Sequence, residues 1–421
     1  MKFIDLFAWL WWFHHALWKL WYECVFASEI DQQLRDLYKK NFDFEISWDI
    51  TKIGVKDIPS HDILCAWFPC QPFSHAWKQD GLNCSKNWNL FFEIIKILEY
   101  HKPKYFILEN VANLKHHDEK KTWTRIESEL KKLWYDVKWE ILSPDEYNIP
   151  HHRKRFFIVW SLEWLDNFIW PKKIEWKKLN ITKILDKKPK NMIKLGKREQ
   201  EVLEIWQEFL SNFPKDWKLP SFPIWSMEYW ATYPFEETNP NLMTTEELWK
   251  YKWTYWKSLK WLSKEEQIKN LPSYVSFAKH KEEYPGWKKR FIRENRAFYK
   301  RYKKYIDSAI KKIQKYPASF QKFEWNCQWE DRNIYKYIIQ FRASGIRVKR
   351  TDASPSLISS TSSQIPVIWW EKRYITKEEA SRLQGMGELE MPDTTNAAFK
   401  ALWNALNADL VGYIAKELIK E

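Results

Sequence analysis

Glycine is scarce in this chain, with 8 copies in 421 residues, about 2% against a usual share near 7%. So few glycines leave few positions free to take a positive φ or to bring backbone close to a ligand. Cysteine is sparse too. Cys24, Cys65, Cys70, Cys84 and Cys327 are an odd number with no CxxC pair, which points away from a disulfide framework or a zinc site and toward a reducing compartment. No apolar run approaches the roughly 20 residues of a membrane-spanning helix. The opening Met1–Phe7 carries Asp5 and no small-residue cleavage site follows it, so it is expected to be a buried first strand rather than a leader. No internal repeat is found.

Tryptophan stands at the opposite extreme, with 30 copies. Glycine and tryptophan together make 38, about what the two should sum to. Their positions say more than the count. Trp9, Trp11 and Trp12 crowd a strand-to-helix turn, and Trp21, Trp48, Trp67 and Trp134 precede strand-like runs. Such positions want no side chain or a positive φ, which is the work of glycine. Many of these tryptophans therefore read as standing where glycine belongs. One route is a UGA codon that the source reads as glycine and that was translated as tryptophan. Deliberate substitution and a genuinely tryptophan-rich protein are the alternatives.

There are 69 basic and 55 acidic residues, a formal charge of +14. That balance favours a polyanionic partner such as nucleic acid; a lysine-rich solvated surface is the plain alternative. Length and a hydrophobic share of 45% suit roughly two domains. The first 165 residues alternate strand and helix: strands at Phe3–Ala8, Glu23–Ser28, His61–Phe68, Tyr105–Leu108 and Phe156–Val159, with helical runs at Phe13–Leu20 and Leu90–Tyr100. This rhythm predicts an α/β fold with a parallel sheet, whose ligands gather at the carboxyl ends of the strands. Residues 176–340 lack the rhythm and are rich in Lys, Trp and Pro. Within them Lys288–Tyr305 interleaves basic and aromatic residues and reads as a phosphate-tracking segment or an amphipathic helix with a solvated basic face. Order returns from about 341, with a Phe341–Arg350 segment, a Ser/Thr-rich loop at Ser354–Ser363, a helix from Thr376 with a capping box, and a terminal helix over Asn396–Glu421.

Four stretches carry chemistry. Phe68-Pro69-Cys70-Gln71-Pro72-Phe73-Ser74 places a thiol between two prolines on a stiff loop after a strand, where it can act as a nucleophile. Glu109-Asn110-Val111 ends the next strand at the same sheet edge. Arg153 and Arg155, two apart before a strand, share a face and could hold a carbonyl oxygen or a phosphate; the adjacent His151 and His152 lack the spacing of a metal pair. Asp5-Leu6-Phe7-Ala8-Trp9-Leu10-Trp11-Trp12, with Trp taken as Gly, is a glycine-rich turn suited to a nucleoside cofactor, and Glu29 would meet ribose hydroxyls.

In this order the stretches resemble the DNA (cytosine-5) methyltransferase family of bacterial restriction-modification systems. The matches are DLFAWLWW, Glu29, Trp48-Asp49-Ile50-Thr51, AWFPCQPFS, Asn89–Phe92, LENV, HHRKR, RYITKEEASRLQG and LWNALN, over about 1–165 and 341–421. Taking Trp as Gly improves the match at Trp9, Trp11, Trp12, Trp48, Trp67, Trp77, Trp160 and Trp403. The resemblance implies a Rossmann-like S-adenosylmethionine-dependent methyltransferase fold with a smaller target-recognition domain. It implies a catalytic domain over 1–175 completed by 397–421, and target recognition over 176–396. Cys70 would attack C6 of a flipped-out cytosine, Glu109 would hold and protonate N3, and Arg155, backed by Arg153, would contact O2. Phe7, Trp9, Trp11, Trp12, Glu29, Ile30, Asp49, Ile50, Pro69, Leu90 and Asn404 would line the S-adenosyl-L-methionine pocket, and no metal is implied. The implied partner is double-stranded DNA, with a cognate restriction endonuclease acting on the same site, for a cytoplasmic, nucleoid-associated monomer. His151 replaces a usual Gln, and Ala405 replaces a usual Ser. Three other readings remain: a tRNA cytosine methyltransferase of the same family, whose Cys-Phe-Thr element is absent here; an inactive DNA-binding relative; and a cysteine hydrolase, for which no His has a motif-level claim as base.

Overall fold

The structure is a computed structural model. It describes the whole chain except residues 69–84, 163–164, 176–178, 254, 256, 277–282, 356, 358–363 and 420–421. Two compact units form: 1–189 with 352–360 and 376–421, and 190–351 with 361–375.

The first unit runs β1 (Lys2–Leu6), α1 (Trp12–Trp18), β2 (Glu23–Ser28), α2 (Gln32–Phe42), β3 (Ile63–Trp67), α3 (Ser85–His101), β4 (Tyr105–Val111), α4 (Lys121–Lys132), β5 (Lys138–Leu142) and β6 (Arg155–Ser161). Its sheet has the order β2-β1-β3-β4-β6-β5. The apolar run of β3, Ile63-Leu64-Cys65-Ala66-Trp67, is buried at every residue, as expected of a central strand covered on both faces. β1, β2, β3 and β4 pair in parallel. The expected parallel sheet is mixed at its far edge: β6 is antiparallel to both β4 and β5. Only residues 143–154 join β5 to β6, with no crossover helix, and a parallel pair needs a crossover.

That reversal sets up the site. Parallel strands bring the ends of β1, β2, β3 and β4 to one edge, and an antiparallel β6 brings its beginning there. Val111 at the end of β4 therefore pairs with Arg155 at the start of β6.

The second unit contains α5 (Lys197–Ser211), β7 (Ile224–Trp225), α6 (Thr245–Leu248), α7 (Lys264–Asn270), α8 (Ser273–Ser276), α9 (Gly286–Ile313), β8 (Lys322–Trp325), β9 (Ile338–Arg342), β10 (Gly345–Lys349), β11 (Val367–Ile368) and β12 (Arg373–Tyr374). The strands form one sheet, β12-β11-β9-β10-β8-β7, antiparallel except for β8 with β10. The helices α5 and α9 close its core, in which Trp206 stacks on Phe323 at 4.6 Å and donates its indole N–H to the Phe320 carbonyl at 3.0 Å. The basic-aromatic stretch at 288–305 is helical. It buries Ile292, Asn295, Phe298 and Tyr299 and has a kink at Tyr302.

The chain returns to the first unit with α10 (Lys377–Leu383), α11 (Thr395–Asn404) and α12 (Ala408–Leu418). The chain enters the first unit at 352–360 and stays in it from 376, where the expected boundary was 397. Arg382 donates to the Ile184 carbonyl at 2.9 Å, and the Asp186 amide donates to Glu379 at 2.8 Å, so α10 belongs with the first unit. The capping box of α10 forms between Thr376 and Glu379. The single terminal helix expected over 396–421 is two. The break falls at Ala405, which is extended, and Asn407 caps α12 by accepting from the Leu410 amide. α12 lies against α1, with Lys19 at 4.0 Å from Asp409.

Candidate active site

β3 and β4 run side by side with Trp67 in register with Glu109. One residue beyond each, Asn110 donates its side-chain amide to the Phe68 carbonyl at 3.0 Å, and its own oxygen accepts from the Val111 amide at 2.9 Å. Asn110 is fully buried, so this contact is shielded from competing water. It fixes the point at which the chain enters residues 69–84. Cys70 and Pro69 lie in that stretch, outside the described residues, as does Trp77.

Glu109 is fully buried at the end of β4. Arg155 places its guanidinium Nε 2.8 Å from Glu109 Oε1. The contact is oblique: neither carboxylate oxygen takes an aligned hydrogen bond among the described residues. Burial pushes the Glu109 carboxyl up to about 7, and the charges of Arg155 and Arg153 pull only partly against it. A carboxyl so poised exchanges its proton near neutrality, as a general acid must.

Arg153 points elsewhere. Its guanidinium donates to the Trp403 carbonyl, and its amide donates to Ser143 Oγ at 3.0 Å. It therefore ties the entry of β6 to the end of α11, where Asn404 sits half-buried. His151 is fully buried, and burial together with the two arginines holds its imidazole far below its usual basicity, so it is neutral.

The sites expected for a cofactor fall at the ends of β1, β2 and β3. Glu29 is buried there and accepts from the Trp9 amide at 3.0 Å and the Asp31 amide at 2.9 Å, so it ties the two neighbouring strand ends together. Asp49 accepts from Thr51 N at 3.0 Å and caps a short turn that begins at the buried Ile50. Phe7 is half-buried with φ of 56°, and Leu90 is half-buried on α3. Ile30 is 71% exposed.

The turn itself does not fit S-adenosylmethionine with the side chains it carries. Trp9 donates its indole N–H to the Ala401 carbonyl at 2.9 Å and lies 6.1 Å from the Trp67 ring, and Trp12 lies 6.4 Å from it. Trp11 and Trp12 are fully buried, and their indole N–H groups have no partner among the described residues. Indoles thus occupy the carboxyl edge of β1 and β3, where a parallel sheet offers its ligand cleft.

The positioning roles of Asn110 and of the Arg153–Trp403 tie are not visible in the sequence. Asn110 sits inside a matched motif, but a motif does not say which carbonyl a side chain holds. Among the described residues no group of three or more His, Cys, Asp and Glu side chains is placed to hold a metal, and no described helix is long and apolar enough to cross a membrane.

The profile of the C-5 cytosine-specific DNA methylases matches residues 1–420. The chain belongs to that family. The type II methyltransferase M.DsaV of Dactylococcopsis salina is 42% identical over 159 residues, 38% of this chain and 45% of the relative. M.HhaI of Haemophilus parahaemolyticus is 39% identical over 177 residues, 42% of this chain and 54% of the relative. The matches thus span about half the length of these curated relatives. A solved structure of a putative DNA modification methyltransferase encoded within an E. coli prophage superposes with a TM-score of 0.54 at 15% identity, covering 99% of this chain and 98% of that one. It supports the methyltransferase fold of the first unit.

The Glu109 carboxyl makes a testable contribution to stability. Its value in the folded chain, about 7, lies above the ordinary 4.5, so between those values the folded state holds a proton that the unfolded state has released. Stability therefore falls as pH rises through that window. Glu109→Gln removes this dependence. Urea unfolding of both proteins at pH 5 and pH 8 should show the wild type losing up to about 3 kcal/mol relative to the variant. A difference that does not change with pH would contradict the assignment.

Proposed function

We propose that this methylase-family chain transfers a methyl group to C5 of cytosine within a specific sequence of double-stranded DNA. The observation that carries the reading is the buried Glu109 paired with Arg155 at 2.8 Å, beside the anchored start of the segment that holds Cys70. In this reading the Cys70 thiolate adds to C6 of a cytosine turned out of the duplex. A bond forms between sulfur and C6. The C5–C6 π pair moves to C4–C5, and the C4–N3 π pair takes the proton of Glu109 at N3. C5 becomes electron-rich, and a sulfonium donor, when bound, would supply the methyl group to it and leave as the thioether. Loss of the C5 proton to water then expels the thiolate, and Glu109 recovers its proton from N3. Arg155 holds Glu109 in place and meets O2 of the base, while Arg153 braces the entry of β6. The donor we propose is S-adenosylmethionine, for the form of the chain with glycine in the turn after β1, since the indoles of the chain as written fill that cleft. The relatives act as type II methyltransferases by name, so a cognate endonuclease reading the same site and work on cytoplasmic, nucleoid DNA as a monomer belong to the same proposal.

The first unit with its returning helices is the catalytic part of this proposal, and the second unit reads the target. α9 supports that division. Arg290, Arg293, Lys300, Arg301, Lys304 and Lys311 are exposed and related by steps of three, four and seven residues, which places them on one face as a basic stripe along a helix of about 40 Å. Of these only Arg293 has an ion-pair partner among the described residues, Glu236 at 2.7 Å. Cations in a row without acidic partners suit a phosphate backbone.

Two outcomes are expected. Bisulfite sequencing of DNA from cells that express the gene with glycine at 9, 11, 12, 48, 67 and 403 should find one methylated sequence context. Cys70→Ser should abolish that signal while DNA binding survives; methylation by the variant sinks the mechanism. Changing Lys300, Arg301 and Lys304 together to Gln should lower the slope of log affinity against log salt by about 0.9 for each phosphate that is no longer neutralised, with the rate at saturating DNA unchanged. An unaltered slope would move the DNA track off α9.

A further inference from the structure

Among the described residues, sixteen other than glycine have a positive φ, and seven of them are tryptophan: Trp9, Trp11, Trp21, Trp134, Trp230, Trp261 and Trp329, with φ between 41° and 70°. Several others are Asp, Asn or Lys, of which Asp and Asn visit this region with ease. Tryptophan is bulky and has no local hydrogen bond with which to offset the strain of a left-handed backbone.

Two of the seven occupy a position whose chemistry is well defined. At the end of α1 the Tyr22 amide donates to the Leu17 carbonyl at 3.1 Å and the Trp21 amide donates to the Trp18 carbonyl at 2.9 Å. At the end of α4 the Tyr135 amide donates to the Leu130 carbonyl at 3.1 Å and the Trp134 amide to the Lys131 carbonyl at 3.0 Å. Both are Schellman closures with tryptophan at the left-handed position that follows the cap, the place glycine fills in most helices that end this way. The indoles there gain nothing by packing: Trp21 is 93% and Trp134 is 92% exposed. The turn after β1 repeats the pattern, since Phe7, Trp9 and Trp11 are all left-handed. There the indoles also crowd the carboxyl edge of the sheet.

Other tryptophans behave as tryptophan should. Trp206 is helical and fully buried, with its ring stacked and its N–H bonded. A left-handed backbone therefore sets these seven tryptophans apart from one such as Trp206.

We infer that positions 9, 11, 21, 134, 230, 261 and 329 are glycine in the protein that its own cells make, and that the turn after β1 is an open cradle there. Trp12, Trp48, Trp67, Trp160 and Trp403 take no left-handed backbone, so conformation does not sort them. Trp12 and Trp67 fall with the first group through their crowding of the same edge. The part of the inference that concerns the cradle rests on the function proposed above; the part that concerns residue identity does not.

Mass spectrometry of tryptic peptides from the protein purified from its native cells decides the identity. The peptides spanning 20–35 and 133–138 should carry glycine at 21 and 134, and the peptide spanning 199–215 should retain Trp206. Tryptophan at 21 and 134 overturns the inference, and so does glycine at 206, because it would erase the distinction that the backbone draws. Calorimetry with S-adenosylmethionine tests the cradle. The chain with glycine at 9, 11, 12 and 67 should bind, and the chain as written should bind at least tenfold more weakly. Equal, tight binding by both overturns the cradle. Glycine found in the native peptides without binding by the glycine form leaves the identity standing and refutes the proposed donor instead.

Discussion

The site depends on one desolvated carboxyl. Glu109 ends a central strand, fully buried, with a guanidinium 2.8 Å away and no aligned hydrogen bond among the described residues. A carboxylate alone in such a place would be costly, and a carboxyl fully neutralised by a bidentate arginine would hold no proton near neutrality. The oblique contact with Arg155 lies between these limits. Burial wins, the arginines moderate it, and the group is left able to give and take a proton. The antiparallel β6 makes this balance possible, because only a strand that begins at this edge can set Arg155 across from the end of β4.

Around that pair the supporting contacts run through backbone. Asn110 holds the Phe68 carbonyl, Glu29 gathers the amides of Trp9 and Asp31, and Arg153 grips the Trp403 carbonyl. Asn110, Arg153 and the Glu29–Trp9 bond each join strand or helix ends that lie apart in sequence. Side chains that bond backbone position a loop whatever its own side chains are. Loops can then vary in sequence while their points of departure stay fixed.

Much of this was legible in the sequence. The apolar runs of β1, β3 and β4 marked buried strands, and the end of the fourth strand marked the carboxyl edge for Glu109, whereas Arg155 joined it only through the family resemblance. The direction of β6 was not legible, because Phe156–Val159 is equally apolar whichever way it runs; only the shortness of the link after β5, which holds a single 3-10 turn and no α-helix, carried that information. The break at Ala405 was missed because Asn396–Glu421 keeps helical periodicity across it, and the signal lay in Asn407 as a cap. The return of the chain at 376 turned on the bonds of Arg382 and Glu379 to residues 184–186, which no local pattern encodes. The abnormal tryptophans, by contrast, were visible as a count and as positions before any backbone angle was known.

In the proposed reaction a thiol two residues beyond Phe68 and the buried carboxyl of Glu109 act on one cytosine ring. The most direct measurement uses the glycine-bearing chain, S-adenosylmethionine and duplex DNA with 5-fluorocytosine at the methylated position, where no C5 proton can leave. The expected result is a protein–DNA adduct stable to denaturation, mapped by peptide mass spectrometry to Cys70. Methylation of ordinary cytosine by the same preparation, with no adduct at Cys70 on the fluorinated duplex, would contradict it.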